Sequence, residues 1–354
     1  MVTAVEGRQA FGPAVAGASP EFAITLQCDL DGPTTVSLAG EAERAGFDAF
    51  WLFDSPLMWR DPYPLLTLVA AATERLRLGT CVTNAETRLP TTTAATLATL
   101  QELSDGRIDL GIGRGDSALR MIGRQPTSLE TMEQAIGVIR ELAEGRSIVD
   151  GQRSLRLGYA TGHRLPVWVA GYGPRAIATA GRVADGLILQ VGDPELVAWF
   201  VGQLRVAAAS AGRDPATLRI QVAAPAIIGD REATRERVRW FPDLVAHHVL
   251  ELLGRVDRAT LAPGLTDFVD QHAGRTYSPH HDGDLSFVDA ATVDRFCILG
   301  SADEHRRRIA DLIEAGATQV NLYLVKGDEA ATVAAYGREV IPAFRNAATR
   351  VVTP

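Results

Sequence analysis

Eight short apolar stretches, rich in β-branched and aromatic residues, alternate along this chain with helix-forming stretches. Strict alternation of this kind predicts a parallel sheet with crossover helices. The strand candidates are almost uninterrupted in apolar residues, as strands covered on both faces are, and eight such units favour closure into an α/β barrel of the (β/α)8 TIM type over an open doubly wound sheet. The predicted strands are 22–28, 49–54, 76–83, 108–113, 167–171, 186–191, 219–228 and 319–325.

About ninety residues separate the last two predicted strands, which is far more than an ordinary βα unit needs. We expect residues 229–300 to form a helical and loop insertion that lies as a lid over the carboxyl face of the barrel. Residues 21–354 are then a single barrel domain that includes this insertion. Residues 1–20 are small and loosely polar, lack the apolar core of a signal peptide, and are expected to form a mobile tail.

The composition argues against several classes of binding partner and several cellular locations. A net charge of −8 without a long basic run disfavours nucleic acid and anionic membrane surfaces. No stretch approaches the roughly 18 apolar residues of a membrane span. Cys28, Cys81 and Cys297 are widely spaced, so they predict neither a disulfide framework nor a zinc knuckle and fit a reducing cytoplasm.

The residues 109–117, DLGIGRGDS, place glycines at every second position after a strand. They resemble the dinucleotide fingerprint G-x-G-x-x-G, but Asp116 stands where the third glycine belongs. Asp116 and Asp54 both follow strands, where a carboxylate in a partly dry pocket acts as a general acid or base. The alternative for either residue is a helix cap or a loop contact. The position of Asp116 and Ser117 beside the glycine run favours ligand contact for that pair.

A second segment, GYGPR, predicts an anion site. Gly171 ends a strand, Tyr172 and Gly173 form the turn, and Pro174 suits the first position of a helix. The free N–H groups of that helix, with Arg175 beside them, would face an anion such as a phosphate. A plain βα turn uses the same residues, and this alternative stays open.

The remaining candidates lie in loops at the carboxyl ends of strands, where barrel active sites form. Trp59 follows the second strand and is a candidate wall for a flat ligand, although lid packing is an equal alternative. A Thr127-x-x-Glu130 capping box predicts the start of the long helix after strand four. The paired histidines at 247–248 and 280–281 lack metal-ligand spacing, so no metal is expected. The polar strand ends are Gln27–Asp29, Asp54, Ser55, Cys81–Asn84, Arg114–Ser117, Gly171–Arg175 and Gln190.

In combination these motifs resemble those of the bacterial-luciferase-like flavin and F420 oxidoreductases. The resemblance covers roughly 22–345 and is most similar to the F420-dependent branch that includes methylenetetrahydromethanopterin reductase. The segments that carry it are FWLFDS, LGTCVTNAETRLP, GIGRGDSA, VWVAGYGPRAIATAGRVADGLILQ and DRFCILGSADEH.

The resemblance implies a luciferase-like barrel that holds F420, or alternatively FMN, at its carboxyl mouth. Such proteins carry a non-prolyl cis peptide in the third strand, which the motif LGTCVTN places at Cys81–Val82. By the same carry-over, Asp54 and Asn84 contact the ring or its polar edge. Arg114 and Gly115 then pass along the cofactor, and residues 171–175 meet its phosphate.

Relatives that oxidise sugar phosphates with F420 use a histidine after the strand-two aspartate, a tryptophan and an acid. Trp59 and Asp116 match two of these, but Ser55 and Pro56 stand where the histidine is expected. This departure weakens the sugar-phosphate activity and keeps the hydride-transfer scaffold, since the cofactor supplies the difficult chemistry. The leading hypothesis is an F420-dependent oxidoreductase of a small organic substrate, with Asp116 and Ser55 handling the proton.

Two alternatives accompany this hypothesis. One is an FMN-dependent monooxygenase on the same fold, which takes reduced flavin from a partner reductase. The other is a ligand-binding or structural barrel without catalysis, which the acids and glycines at the strand ends disfavour. Luciferase-like relatives often form homodimers, and the apolar stretches at 65–72 and 97–103 are candidate faces, although burial in the monomer explains them equally well.

Overall fold

Eight parallel strands close into a barrel, which confirms the predicted fold. The structure, a computed structural model, describes residues 19–253, Asp270, Leu285 and residues 288–350. Each barrel strand pairs with the next in parallel, and the last pairs with the first to close the ring. The strands are β1 (Glu21–Leu26), β2 (Ala49–Leu52), β3 (Arg77–Thr80), β4 (Ile108–Ile112), β5 (Val167–Ala170), β6 (Gly186–Leu189), β7 (Arg219–Ile228) and β8 (Gln319–Tyr323).

Helices surround this barrel, and several begin at an aspartate followed by proline. Asp31, Asp61 and Asp193 each accept a hydrogen bond from a backbone N–H of the first turn, and each helix has proline at its first or second position. The helices are α1 (Gly32–Ala45), α2 (Pro62–Ala72), α3 (Pro90–Ser104), α4 (Asp116–Met121), α5 (Leu129–Ala143), α6 (Pro174–Val183), α7 (Pro194–Ser210), α8 (Arg231–Val238), α9 (Trp240–Leu253), α10 (Ala290–Phe296), α11 (Ala302–Glu314), α12 (Glu329–Ala335) and α13 (Ile341–Arg350).

The start of α5 differs from the prediction. Ser128 caps this helix by accepting a hydrogen bond from the N–H of Thr131 at 3.0 Å. Thr127 instead donates its hydroxyl hydrogen to the carbonyl oxygen of Arg114 at 2.7 Å. The predicted Thr127–Glu130 capping box is therefore wrong, because a tertiary partner engages the Thr127 hydroxyl.

The predicted insertion contains α8, α9 and α10 between β7 and β8. A short strand, Ile298–Gly300, follows them and pairs in parallel with Ala226–Ile228, the far end of β7. Within the polar loop at 272–285, all residues but Leu285 lie outside the described part of the chain, including the histidines at 280–281. Residues 1–18 of the predicted tail also lie outside it. The boundaries of the domain and of the insertion, and the role of that insertion as a lid, stay predictions.

The core has two parts, one between the strands and the helices and one inside the barrel. Inside the barrel the rings of Trp51 and Trp168 meet edge to face, with centroids 5.9 Å apart. Below them buried charges fill the amino end, where Arg77 contacts Glu21 at 2.5 Å and Asp109 at 3.3 Å. Arg77, Glu21 and Asp109 thus compensate one another's charge at the amino end of the barrel.

The outer faces of two helices keep large apolar side chains in solvent. Leu68 of α2 is 49% exposed and Leu103 of α3 is 51% exposed. The helices of the described residues are too short or too polar to cross a membrane. Most of the apolar stretches at 65–72 and 97–103 pack inward, and Leu68 and Leu103 are their large exposed apolar side chains.

Candidate active site

The carboxyl ends of the barrel strands enclose a cavity of about 130 Å³. Alternate side chains of β8 point into the barrel, as that of Gln319 does. Tyr323 lies further along the same face of this strand and lines the cavity, so the cavity wall continues the inner face of the sheet. Its lining is Gln27, Phe53, Ser55, Met58, Trp59, Cys81, Val82, Ser117, Ala170, Ile188, Gln190, Leu244 and Tyr323.

Seven of the candidate residues at the strand ends and loops meet at this cavity. They are Gln27, Ser55, Trp59, Cys81, Val82, Ser117 and Gln190. The peptide bond between Cys81 and Val82 is cis, as the resemblance predicts. Burial raises the pKa of the Cys81 thiol to about 12, so this thiol stays protonated near neutral pH and contributes an uncharged wall rather than a nucleophile.

Asp54 lies directly behind the cavity in a buried hydrogen-bonded cluster. Thr83 donates its hydroxyl hydrogen to the Asp54 carboxylate at 2.6 Å, and the Tyr63 hydroxyl lies 3.4 Å from the same oxygen. Burial raises the pKa of Asp54, while the bond from Thr83 opposes that shift. Two side chains thus already contact one oxygen of Asp54. The predicted contact of Asp54 with a cofactor stays a prediction.

Asn84 carries an unpaired buried donor. Its side-chain oxygen accepts the N–H groups of Glu86 and Thr87 at 3.0 and 2.9 Å, whereas its Nδ2 is buried without a hydrogen-bond partner. Gly115 packs against it in a left-handed conformation with φ 77°, and a Cβ there would lie 2.7 Å from the Asn84 Cβ. A buried amide donor of this kind normally has a partner, and the predicted contact of Asn84 with a cofactor stays a prediction.

The loop after β4 divides its side chains between the surface and the cavity. Arg114 donates from Nε to the carbonyl oxygen of Thr127 at 2.6 Å, which fixes the loop. Asp116 forms a half-exposed ion pair with Arg120 at 2.5 Å, one turn further along α4. Ser117, the next residue, lines the cavity. The predicted proton-transfer role of Asp116 therefore stays a prediction for a residue at the edge of the site.

The GYGPR turn is built as the sequence predicts, but its side chains diverge. The backbone N–H of Gln190 donates to the hydroxyl oxygen of Tyr172 at 2.8 Å, which joins the turn to the end of β6. Gly173 is the N-cap of α6, and no side chain caps this helix. The first backbone N–H groups of the helix can therefore bind an anion. Arg175 lies on an outer groove between α5 and α6, away from the mouth cavity. Phosphate binding by Gly171, Gly173 and Pro174 stays a prediction.

A second cavity of about 610 Å³ opens from the first. The two share Gln27, Met58, Trp59 and Tyr323. Trp240 of α9 forms the outer wall, and its ring centroid lies 5.4 Å from that of Tyr323. Neither Tyr323 nor Trp240 belongs to a motif that predicts a site. The sequence could have indicated Tyr323, because it ends a strand on the same face as the inward-facing Gln319. Trp240 reaches the cavity only through the packing of the insertion.

No group of three His, Cys, Asp or Glu side chains in the described part of the chain gathers to hold a metal ion. His305 is buried in a structural position, where its Nδ1 lies 2.8 Å from the Tyr336 hydroxyl and its Nε2 lies 3.1 Å from the Ile227 carbonyl oxygen. Burial lowers the pKa of His305 to about 4, so the ring is neutral near pH 7.

A family model described as luciferase-like monooxygenase matches residues 23–319. The chain belongs to the luciferase-like monooxygenase family. The matched range begins in β1 and ends at the start of β8, so it includes β2 to β7 and the lining residues of the mouth cavity other than Tyr323. Membership agrees with the resemblance drawn from the motifs.

Within this luciferase-like family, two of the similar relatives share one name. The chain is 30% identical over 291 residues to a 5,10-methylenetetrahydromethanopterin reductase of Methanolobus tindarius, covering 79% of this chain and 86% of the relative. It is 29% identical over 315 residues to the enzyme of that name from Archaeoglobus fulgidus, covering 86% and 93%. The solved coenzyme F420 dependent tetrahydromethanopterin reductase of Methanopyrus kandleri superposes with a TM-score of 0.73 at 25% identity, covering 92% of this chain and 100% of that one.

Proposed function

We propose that this protein is an F420-dependent oxidoreductase that transfers a hydride between the deazaflavin and a small organic substrate. The observation that carries the proposal is the cavity at the carboxyl mouth of the barrel, which has the position and neutral walls that a flat redox ring needs. The name of the similar solved structure from Methanopyrus kandleri, a coenzyme F420 dependent tetrahydromethanopterin reductase, supports F420 rather than FMN.

The residues present fit such a cofactor. Asn84 offers a buried amide donor without a partner, and Gly115 lets the backbone lie against it. Val82 and Ser117 line the cavity, and the uncapped start of α6 after Gly173 accepts an anion. We assign the ring to the mouth cavity, its polar edge to Asn84 and Asp54, and its phosphate to the turn at Gly171 and Gly173 and the start of α6 at Pro174.

Bound F420 supplies a hydride carrier. The protein supplies position, exclusion of water and a route for the proton. Ser55 places its hydroxyl in the cavity, and its carbonyl oxygen accepts the N–H groups of Met58 and Trp59 at 3.2 and 3.1 Å, so the turn that carries Trp59 is fixed. Asp116 holds the proton for exchange with solvent at the edge of the site, and Ser55 orients the substrate oxygen or nitrogen.

The second candidate is an FMN-dependent monooxygenase with a partner reductase, which the family description favours. The experiment that separates the two is a pair of titrations of the purified protein with F420 and with FMN, followed by fluorescence. We expect saturable F420 binding and weaker FMN binding. Tight FMN binding without F420 binding would contradict the proposal and favour the monooxygenase.

We also propose that the protein forms a homodimer in the cytoplasm through α2 and α3. The exposed Leu68 and Leu103 lie on these two helices and support this face. Sedimentation of the wild type and of the double variant Leu68→Glu, Leu103→Glu tests the dimer. We expect a dimer of the wild type and a monomer of the variant, and a monomeric wild type would contradict the assignment.

A further inference from the structure

We propose that Tyr172 is a positioning residue, which fixes the turn before α6 relative to the mouth cavity so that the phosphate and the ring of one cofactor bind together. This inference rests on the proposed function, because it takes from it the ring in the cavity and the phosphate at the turn. Tyr172 stands between the two glycines of that turn, Gly171 and Gly173. Its hydroxyl binds the backbone of Gln190, a residue that lines the cavity.

The contact between Tyr172 and Gln190 continues the pairing of β5 and β6 beyond the end of the sheet. The last registered pair of these two strands is Ala170 with Ile188, and both residues line the mouth cavity. The same register, extended by two residues, sets Tyr172 opposite Gln190. There the backbone N–H of Gln190 donates to the hydroxyl oxygen of Tyr172 at 2.8 Å, so a side chain makes the connection. The backbone of the turn can therefore leave the sheet toward α6 and stay joined to the cavity wall.

The hydrophobic core holds the ring of Tyr172 in place. This ring meets that of Phe200 edge to face, with centroids 5.8 Å apart. Phe200 of α7 is fully buried, and its ring packs in turn against that of Trp199 at 5.1 Å. Close packing of this kind restricts the ring, so the hydroxyl that it carries keeps a fixed place relative to α7.

The other side of the turn packs on α6. A Cβ at Gly171 would lie 2.6 Å from the Cβ of Ala176, so the turn lies close against the first turn of this helix. A Cβ at Gly173 would meet no atom within 4 Å, which leaves space beside the first N–H groups of the helix. Gly171 thus places the turn on the helix, and the Tyr172 hydroxyl joins the same turn to the cavity wall.

The Tyr172 hydroxyl is suited to accept a hydrogen bond at neutral pH. Burial raises the pKa of Tyr172, the hydrogen bond from Gln190 opposes that shift, and the Cys81 thiol adds to it. The phenol is therefore uncharged near pH 7, and its oxygen offers a lone pair to the N–H of Gln190.

Two subsites that bind the two ends of one ligand reinforce each other only when their spacing matches that ligand. Because the Tyr172 hydroxyl sets this spacing, its loss leaves each subsite intact and lowers the gain from occupying both. A purely structural hydrogen bond would change stability alone. A direct contact of the hydroxyl with the phosphate would weaken the binding of inorganic phosphate as well.

The test measures the Kd of F420 and of the phosphate-free deazaflavin, which has the ring and the ribityl chain only, by fluorescence titration. Tyr172→Phe keeps the ring on Phe200 and removes the hydroxyl. We expect the advantage of F420 over the phosphate-free ring, given by the ratio of the two Kd values, to fall at least fivefold in this variant. The affinities for the phosphate-free ring and for inorganic phosphate, the latter measured by competition with F420, are expected to change less than twofold.

Two further variants are the controls. Tyr159→Phe removes an exposed hydroxyl beside α3 and is expected to keep the wild-type ratio. Gln190→Ala keeps the N–H that Tyr172 binds and shortens a residue of the cavity wall, so it is expected to weaken both deazaflavins by the same factor. Urea unfolding of each variant verifies that folded protein is titrated.

An unchanged ratio in Tyr172→Phe, or a parallel loss of affinity for inorganic phosphate, would overturn the inference. Failure of the proposed function is recognised separately in the wild type, which would then bind FMN and not F420. FMN and riboflavin differ by the same phosphate, so the ratio in Tyr172→Phe is then measured with that pair and decides the inference in the same way.

Discussion

Thr83 donates its hydroxyl hydrogen to Asp54 at 2.6 Å, at the point where β2 and β3 leave the barrel. Both side chains are buried, and the Tyr63 hydroxyl lies 3.1 Å from the Thr83 oxygen. The pair fixes the carboxylate behind the mouth cavity, where burial otherwise disfavours its charged form. The geometry of the mouth thus depends on a residue that no ligand needs to touch.

We expect Thr83→Val to destabilise the fold by about 1–3 kcal/mol, because it leaves a buried carboxylate with one donor fewer. The same change raises the pKa of Asp54 further. Urea unfolding of the variant at pH 7 measures the first effect. Thr83→Ser keeps the hydroxyl and is the matched control, so equal stability of the Val and Ser variants would show that the bond contributes nothing.

His305 predicts a loss of stability in mild acid. Its pKa is about 4 in the fold against a reference value of about 6.5. Between these values the unfolded chain binds the additional proton, so the contribution is full above pH 6.5 and declines as the pH falls toward 4. At pH 5 the expected loss is about 2 kcal/mol relative to pH 7.5.

Urea unfolding at pH 7.5 and pH 5 measures this loss. His305→Gln is expected to show a smaller decline than the wild type, since glutamine does not titrate. His163→Gln, which alters a half-exposed imidazole beside Asp105, is expected to decline as the wild type does. A decline of the same size in the His305 variant and the wild type would exclude His305 as its source.

Asp116→Asn is expected to keep the affinity for F420 and to lower kcat at least tenfold, because it removes the carboxylate to which we assign proton transfer. Arg120→Gln breaks the same ion pair but keeps the carboxylate, so it is expected to retain turnover. Fluorescence titration gives the affinity, and the absorbance change of F420 with a substrate that the wild type turns over gives kcat. Parallel losses in both variants would assign the effect to the ion pair and not to proton transfer.

The barrel strands were predictable because each parallel strand is covered on both faces and is therefore apolar along its length. Predicted ends extend beyond the observed ones. The stretch 76–83, for example, leaves the sheet after Thr80, and Thr83 returns only as a single bridge to Ile112. The three-residue strand Ile298–Gly300 was not predicted, since so short a run has no periodicity to detect.

The candidate site was predictable where it continues the strands and not where tertiary packing builds it. Gln190 follows β6 directly, Ser55 lies in the loop after β2 and Ser117 lies in the first turn of α4 after β4, and all three line the mouth cavity. Trp240 reaches the second cavity only because α9 packs over the barrel end, and no local pattern contains that information. The same limit explains the wrong prediction of the α5 cap. Thr127 and Ser128 are equal candidates in the sequence, and only the tertiary contact of Thr127 with Arg114 distinguishes them.

The first glycine of DLGIGRGDS predicts a large effect on the fold. A Cβ at Gly111 would lie 1.9 Å from the carbonyl oxygen of Thr80, inside the barrel between β3 and β4. Gly111 is therefore required by the close approach of two strands, and it needs no ligand to explain it. Gly111→Ala is expected to destabilise the protein by about 3 kcal/mol or more, since neither strand has room to move.

Gly137→Ala is the matched control for this change. A Cβ at Gly137, in the middle of α5, meets no atom within 4 Å, and alanine there is expected to stabilise the helix by about 0.5–1 kcal/mol. Urea unfolding of both variants should therefore give changes of opposite sign. A Gly111 variant as stable as the wild type would contradict the close packing of β3 on β4, and with it the position of Cys81 and Val82 at the floor of the cavity.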